Sequence, residues 1–351
     1  MSRSTISIIL ATFNSAKTLP LVLESIKKQT YPKSKIEILL VDGDSMDKTI
    51  SIGKKFGCKI IKNPRTEPVY GKFLGYKKAR GKYIMYLDHD EVLLNKKSLE
   101  RKIKALESNP EVKAVAGGNY QSPSKYPFIN DYINEFGDPF SFFIYRLSKS
   151  SKFFVSSMKN RYPVEENKGY IMVDFSNVIN LPIIEQVAGG ALVDAKLLKK
   201  EFPETKRDFT LLPHFFYLLK RRHPYLIVMK NDPIVHYSSD SLPRYLKKIT
   251  WRVKNNILFK SNMGESGFRG RERFSRGFGL KKYLFLSYAF SFIFPAIDAI
   301  YLSLTRKNFK YFIHIYLVLF TASEILHYSF VKVFGANAVL KSYDDSKIVK
   351  V

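Results

Sequence analysis

Four short apolar runs separated by helical patterns constrain this fold most. Ile6–Thr12, Ile36–Val41, Lys59–Ile61 and Tyr83–Leu87 have the length of buried strands. Between them, Leu19–Gln29 places Leu19, Val22, Leu23 and Ile26 at helical spacing, and Pro68–Ala79 also reads as helix. Ser45 or Asp47 is placed to cap a helix continuing to about Phe56. Strands alternating with helices predict a mostly parallel sheet flanked by helices. Runs that are apolar at nearly every position predict strands covered on both faces.

In such sheets ligands gather at the carboxyl ends of the strands. Three predicted ends are polar: Thr12-Phe13-Asn14, Asp42 to Asp47, and Asp88-His89-Asp90-Glu91. Acids crowded at a buried strand end repel one another and lose hydration. A divalent metal carrying a phosphate offsets both costs, although a lone Asp-x-Asp also suits a solvated turn. The Gly-x-Gly-x-x-Gly and Gly-x-x-x-x-Gly-Lys-Ser/Thr phosphate loops are absent, which argues against a dinucleotide enzyme or a P-loop ATPase.

Charge and cysteine usage narrow the setting. A net charge of +27 favours anionic partners: nucleotide phosphates, acidic lipid or nucleic acid. The single cysteine, Cys58, excludes an internal disulfide framework and fits a reducing compartment. Met1–Thr5 is polar and Ile6–Ala11 is too short for a secretory apolar region, so a cytosolic amino-terminal half is expected. Residues 120–170 are rich in aromatic residues, Pro and Gly. They read either as an irregular insertion or as an aromatic, basic flap near lipid.

The order of motifs resembles family-2 glycosyltransferases of the GT-A fold over roughly residues 5–255. Ile8 to Asn14, Val41 to Thr49, Gly71 to Gly81 and Leu87 to Asp90 carry the first half of the likeness. Gly189-Gly190-Ala191, Arg207 to Leu211 and Ile234 to Tyr237 carry the second. The resemblance implies a GT-A, Rossmann-like domain at 1–255 and a set of roles. Thr12, Asn14, Asp42, Lys72 and Asp88 would bind the donor nucleotide, a UDP- or GDP-sugar. Asp88 and Asp90 would hold Mg²⁺ or Mn²⁺, hard cations suited to oxygen ligands, with His236 contacting metal or phosphate. Asp208 would be the catalytic base of an inverting displacement. Arg207 stands where the family usually has Glu, and Glu204 is the nearby substitute. Gly189, Gly190, Ala191, Trp251 and Arg252 are acceptor or sugar candidates. Ile249-Thr250-Trp251-Arg252-Val253 reverses the Gln-x-x-Arg-Trp order of processive synthases and lacks its Gln, which disfavours processive synthesis.

Past a basic linker at 256–282, Tyr283–Leu304 and Tyr311–Phe334 are each long enough to cross a hydrocarbon core of ~30 Å. They predict a hydrophobic helical hairpin at 283–334, spanning or re-entrant, before a tail at 335–351. Ser287, Ser291, Asp298 and Thr305 form a polar stripe that would face His314, Thr321, Tyr328 and Lys332. The bases of the linker favour a cytosolic amino-terminal flank and an anionic leaflet. The expectation is a membrane-anchored enzyme with its catalytic domain in the cytosol. It would join a sugar to a lipid-linked saccharide or, alternatively, to a polyprenyl phosphate. A nucleotidyltransferase would use a similar sheet and acidic site. A nucleic-acid-binding protein would explain the charge but leave the apolar hairpin unexplained, so no nucleic acid is expected.

Overall fold

The alternation appears first as a block of parallel strands. The computed structural model describes residues 5–184, 189–259, 265–274, 276–335, 339, 341, 347 and 348. Strands β1 (Ile6–Thr12), β2 (Ile36–Asp42), β3 (Lys59–Lys62) and β4 (Tyr83–Asp88) pair in parallel, with Thr12 opposite Asp42 and Ala11 opposite Asp88. Side chains alternate between two cores. Ile9, Val41, Ile84 and Tyr86 pack with Phe73 and Tyr76 of the helix Pro68–Lys78. Ile8, Leu10, Leu40 and Met85 pack with the helices Leu19–Lys27 and Ser98–Ser108 on the other face. Each side chain of this size contributes ~1.5–3 kcal/mol on burial. Gly75 allows the close helix–strand approach, because a Cβ there would lie 2.4 Å from Ile9 Cγ2.

Beyond β4 the sheet is mixed. The short strands β5 (Glu91–Leu93), β6 (Ala114–Ala116) and β7 (Tyr120–Gln121) come next in the chain. Strands β8 (Val164–Glu166), β9 (Tyr170–Asp174), β10 (Leu192–Asp194), β11 (Tyr225–Met229) and β12 (Ile234–His236) follow. The nine-stranded sheet runs β3-β2-β1-β4-β10-β6-β11-β9-β8, and β5-β12-β7 forms a small second sheet. β10 is antiparallel to both of its neighbours and β9 to β8 and β11, so parallel pairing in the large sheet holds for β1 to β4 and again for β6 with β11. The stretch leading into β10 turns at Gly189 and Gly190, with φ of +65° and +61°, and the strand begins at Leu192. Residues 185–188 of that stretch lie outside the described residues, as do part of the linker and most of the 335–351 tail.

The aromatic insertion is neither an irregular loop nor a free flap. It forms the helices Phe128–Phe136, Pro139–Tyr145 and Phe154–Lys159. Its rings pack on the carboxyl-terminal helices: Phe128 on Tyr311, Phe143 on Phe285 and Tyr288, and Phe140 on Phe285. A third core joins Tyr132, Ile133 and Phe136 to Ile249, Leu302 and Leu317, so residues 283–334 share a core with the domain before them. The first predicted hydrophobic helix is not continuous. Gly279–Phe290 and Ile293–Arg306 meet at 91°, and among the described residues only Phe309–Val333 is long and apolar enough by itself to cross a membrane. Asp298 reaches Arg146 and Tyr288, and Tyr288 in turn bonds His314 at 2.9 Å.

Candidate active site

The ends of β1, β2 and β4 lie side by side in register and fix the first components of the cleft. Asp42 is buried and accepts from four donors. Thr12 Oγ1 and Ser45 Oγ donate to its Oδ1 at 3.0 and 2.6 Å, and the Asp44 and Ser45 N–H groups to its Oδ2 at 3.0 and 2.8 Å. That fills the ~four acceptor sites of a carboxylate, so a base or ribose donor would have to displace one. Asn14 is drawn into the same loop: its Oδ1 accepts from Met46 N–H at 3.0 Å. Asp47, not Ser45, serves the helix Thr49–Lys55, accepting from Thr49 N–H at 2.9 Å.

Asp88 closes β4 with its side chain about one-third exposed, and the Lys72 ammonium lies 2.6 Å from its Oδ1. Lys72 is itself buried on the helix Pro68–Lys78. Glu67 caps that helix through the Val69 and Tyr70 amides, and burial raises its carboxyl to about 7. His89 turns away, its Nδ1 lying 3.0 Å from Thr18 Oγ1.

Asp90 faces His236, with Oδ2 3.7 Å from Nε2. Burial pushes the Asp90 carboxyl up, but the positive field of His236, His89 and Lys248 outweighs it and holds the group below its ordinary value. His236 has a defined tautomer. Asn134 Nδ2 donates to Ser122 Oγ at 3.1 Å, so Asn134 Oδ1 faces His236 Nδ1 at 2.8 Å and accepts its proton. The Nε2 lone pair is thereby turned towards Asp90, the arrangement used by imidazole ligands. Burial lowers the His236 pKa to about 4, so the ring is neutral at pH 7 and its positive charge bears on Asp90 only in the acid range where that carboxyl takes up its proton. Lys248, from the helix Leu242–Leu258, stands behind this pair and donates to Ser238 O at 2.6 Å.

Glu91 was unassigned in sequence and proves central. It is fully buried and accepts from Asp88 N–H at 3.1 Å, Tyr120 OH at 2.7 Å and Gly189 N–H at 3.1 Å. One acid therefore ties the Asp88–Asp90 turn to β7 and to the Gly189 turn. Burial and the neighbouring Asp88 raise its carboxyl to about 8. Through this bond Gly189 joins the cleft, and Gly190 packs below it, where a Cβ would meet Ile234 at 2.9 Å. Ala191 is buried beside them.

Asp208 is the amino-terminal cap of the 3₁₀ helix Phe209–His214. Its Oδ1 accepts from Thr210 N–H at 2.9 Å and Oγ1 at 2.6 Å. Phe209 packs edge-on against Tyr70, which puts the segment beside the helix carrying Lys72. Glu204 is exposed one turn earlier. Arg252 is committed to Gly137 O and Asp138, both at 3.0 Å, and Trp251 Nε1 donates to Lys341 O at 3.2 Å. Arg252 thus belongs to the joint with the aromatic insertion and Trp251 to the joint with the carboxyl-terminal tail. Among the described residues no three His, Cys, Asp or Glu side chains gather as a ready-made metal cage.

Residues 7–169 match the model of glycosyl transferase family 2. A Methanococcus voltae relative is 32% identical over 122 residues, which cover 32% of this chain and 38% of that protein. It is named dolichyl N-acetyl-alpha-D-glucosaminyl phosphate 3-beta-D-2,3-diacetamido-2,3-dideoxy-beta-D-glucuronosyltransferase. The poly(ribitol-phosphate) beta-N-acetylglucosaminyltransferase TarS of Staphylococcus aureus is 32% identical over 100 residues, 27% of this chain and 17% of its own length. The chain thus spans well under half the length of both relatives. The mannosyltransferase PcManGT of Pyrobaculum calidifontis, solved with GDP-Man and Mn²⁺, superposes with a TM-score of 0.56. The superposition covers 96% of this chain and 89% of that one at 15% identity, a likeness of fold.

Proposed function

We propose that this chain, whose residues 7–169 form a family 2 glycosyltransferase domain, moves a sugar from a UDP- or GDP-sugar to a lipid-linked saccharide at a membrane surface. The observation that carries the proposal is the alignment of Thr12, Asp42 and Asp88 on three adjacent strand ends, with Asp90 and His236 one turn further on. The acceptor class draws support from the relative named for a dolichyl-linked substrate.

Asp88 and Asp90 fit Mg²⁺ or Mn²⁺. They are hard oxygen donors, Asp90 stays anionic, and such ions use one or two carboxylates plus substrate phosphates rather than a full protein cage. When bound, the ion offsets charge on the departing nucleoside diphosphate. The protein's own groups do the rest. Thr12 and the Asp42 loop form the nucleoside rim, and Lys72 supplies a fixed positive charge beside Asp88. An acceptor hydroxyl oxygen bonds to the anomeric carbon as the bond from that carbon to the phosphate oxygen breaks. The diphosphate leaves with the electron pair, and the hydroxyl proton passes to Asp208, help typically worth ~10²–10⁴ in rate.

One observation favours a second acceptor class. Asp208 Oδ1 is already engaged as a cap, and a polyprenyl phosphate, being ionised, needs no base.

Thermal unfolding of the full chain against a panel of nucleotide sugars, with and without Mn²⁺, tests the donor. A matching sugar should protect by ~2.7 kcal/mol at a hundredfold excess over Kd. Asp90→Ala should remove the Mn²⁺-dependent increment. Release of pyrophosphate instead of nucleoside diphosphate would indicate a nucleotidyltransferase. Asp208→Asn should retain donor protection and lose transfer to a hydroxyl; normal transfer would favour the phosphate acceptor.

A further inference from the structure

The broken helix pair presents a pattern that a water-facing surface does not need. Phe292 at the break has φ of +58°, a left-handed backbone that bulky side chains avoid. Its side chain is 57% exposed, and Ile293 and Phe294 after it are 66% and 58% exposed. The inner faces of the two arms are satisfied by protein: Phe285, Tyr288 and Ala289 on one, Asp298, Ala299 and Leu302 on the other. The outer faces carry Phe290, Ile297, Ile300 and Leu304, all exposed. Lys307 and Lys310 follow immediately and are exposed, and Tyr283 and Tyr301 sit on the arms as aromatic residues do at a lipid interface. The result is an apolar tip with basic and aromatic shoulders.

Dimensions decide how deep it goes. At ~1.5 Å per residue the arms are ~18 and ~21 Å long. With a right angle between them, each arm inclined equally to the surface reaches ~13–15 Å, about half of a ~30 Å hydrocarbon core.

The longer helix, Phe309–Val333, does not carry the chain across. Leu317 and Phe320 pack with Ile249 and Val253 of the helix Leu242–Leu258. That helix also bears Arg244, Lys248, Arg252 and Lys254, charges that belong outside hydrocarbon. The chain beyond then returns to the same domain. Val339 O accepts from Lys254 Nζ at 3.1 Å, Lys341 O from Trp251, and Lys347 Nζ lies 2.6 Å from Asp44 Oδ2. Residues before and after the helix therefore lie on one side.

We infer that Gly279–Arg306 is a one-leaflet wedge for an anionic lipid surface, and that the described helices after it do not cross the bilayer. The inference rests on the membrane placement proposed above. It is independent of the transfer chemistry, which donor protection measures separately.

The test uses the full chain with single cysteines introduced by Lys55→Cys, Lys310→Cys or Lys341→Cys. Native Cys58 stays silent, since it is buried and its thiol is pushed up to about 12 by that burial. Each variant is bound to sealed phosphatidylcholine–phosphatidylglycerol vesicles and treated with a membrane-impermeant maleimide outside. Equal labelling of all three is expected. Protection of Lys310→Cys would mean that the helix pair spans, and protection of Lys341→Cys that Phe309–Val333 spans; either overturns the wedge. Phe292→Glu with Phe294→Glu should weaken vesicle binding at least about a hundredfold, from two lost phenyl burials, with unchanged melting in solution. Failure of the native chain to sediment with these vesicles would remove the lipid partner altogether.

Discussion

Glu91 receives the Asp88 and Gly189 amides and the Tyr120 hydroxyl, all of them donors. Leu at this position would leave all three without an acceptor. Glu91→Leu is expected to cost at least ~1–3 kcal/mol in denaturant unfolding and to weaken Mn²⁺ protection, because the Asp88 turn loses its tie to the Gly189 turn. A second residue, like His236, contributes to acid sensitivity. His214 is buried against Tyr217 and Phe274, with Nε2 2.9 Å from Glu265 O, and burial depresses its pKa to about 4. The unfolded chain takes up a proton below ~6.5 while the native ring does not until about 4, so stability falls as pH falls through that window. The loss attributable to His214 is about 3 kcal/mol, and the slope should flatten in His214→Phe. Polar strand ends were legible because acids interrupt apolar runs at Asp42 and Asp88. Glu91 and Lys248 were not, since a buried charged residue is written with the same letter as a solvated one.

At the scale of elements, the parallel half of the sheet was legible from β1 to β4, where strands are long enough to show an unbroken apolar run. β5, β6, β10 and β12 have three residues each, too few for any period, and the register of the antiparallel half is set by contacts remote in sequence. The broken helix was illegible for another reason. Hydropathy averages across Ser291 and Phe292 and returns one long apolar segment. Phe292→Gly supplies the check: relief of the left-handed strain should raise stability by ~1 kcal/mol, while vesicle binding declines with the loss of the ring at the tip.

At the scale of the whole molecule, the expected division into a catalytic domain and a separate anchor gives way to a shared core. Glu135 bonds Arg306 at 2.9 Å and also Tyr311, while His314 sits between the hydroxyls of Tyr132 and Tyr288. Removing residues 283–351 would uncover Phe136, Phe142 and Phe143 to water and take away the Arg306 and Tyr311 partners of Glu135. The expected outcome is aggregation on expression rather than a soluble catalytic fragment, read by size-exclusion chromatography. The aromatic content of residues 120–170 pointed to something that covers them, but only the fold identifies it as the chain's own carboxyl-terminal helices.

The Glu135–Arg306–Tyr311 cluster also bears on heredity. A recombination point placed between residues 170 and 280 would separate Glu135 from both of its partners. Chimeras that exchange the carboxyl-terminal third between relatives should fold only when the segment 128–159 travels with it, so the two stretches act as one folding module although more than a hundred residues lie between Glu135 and Arg306.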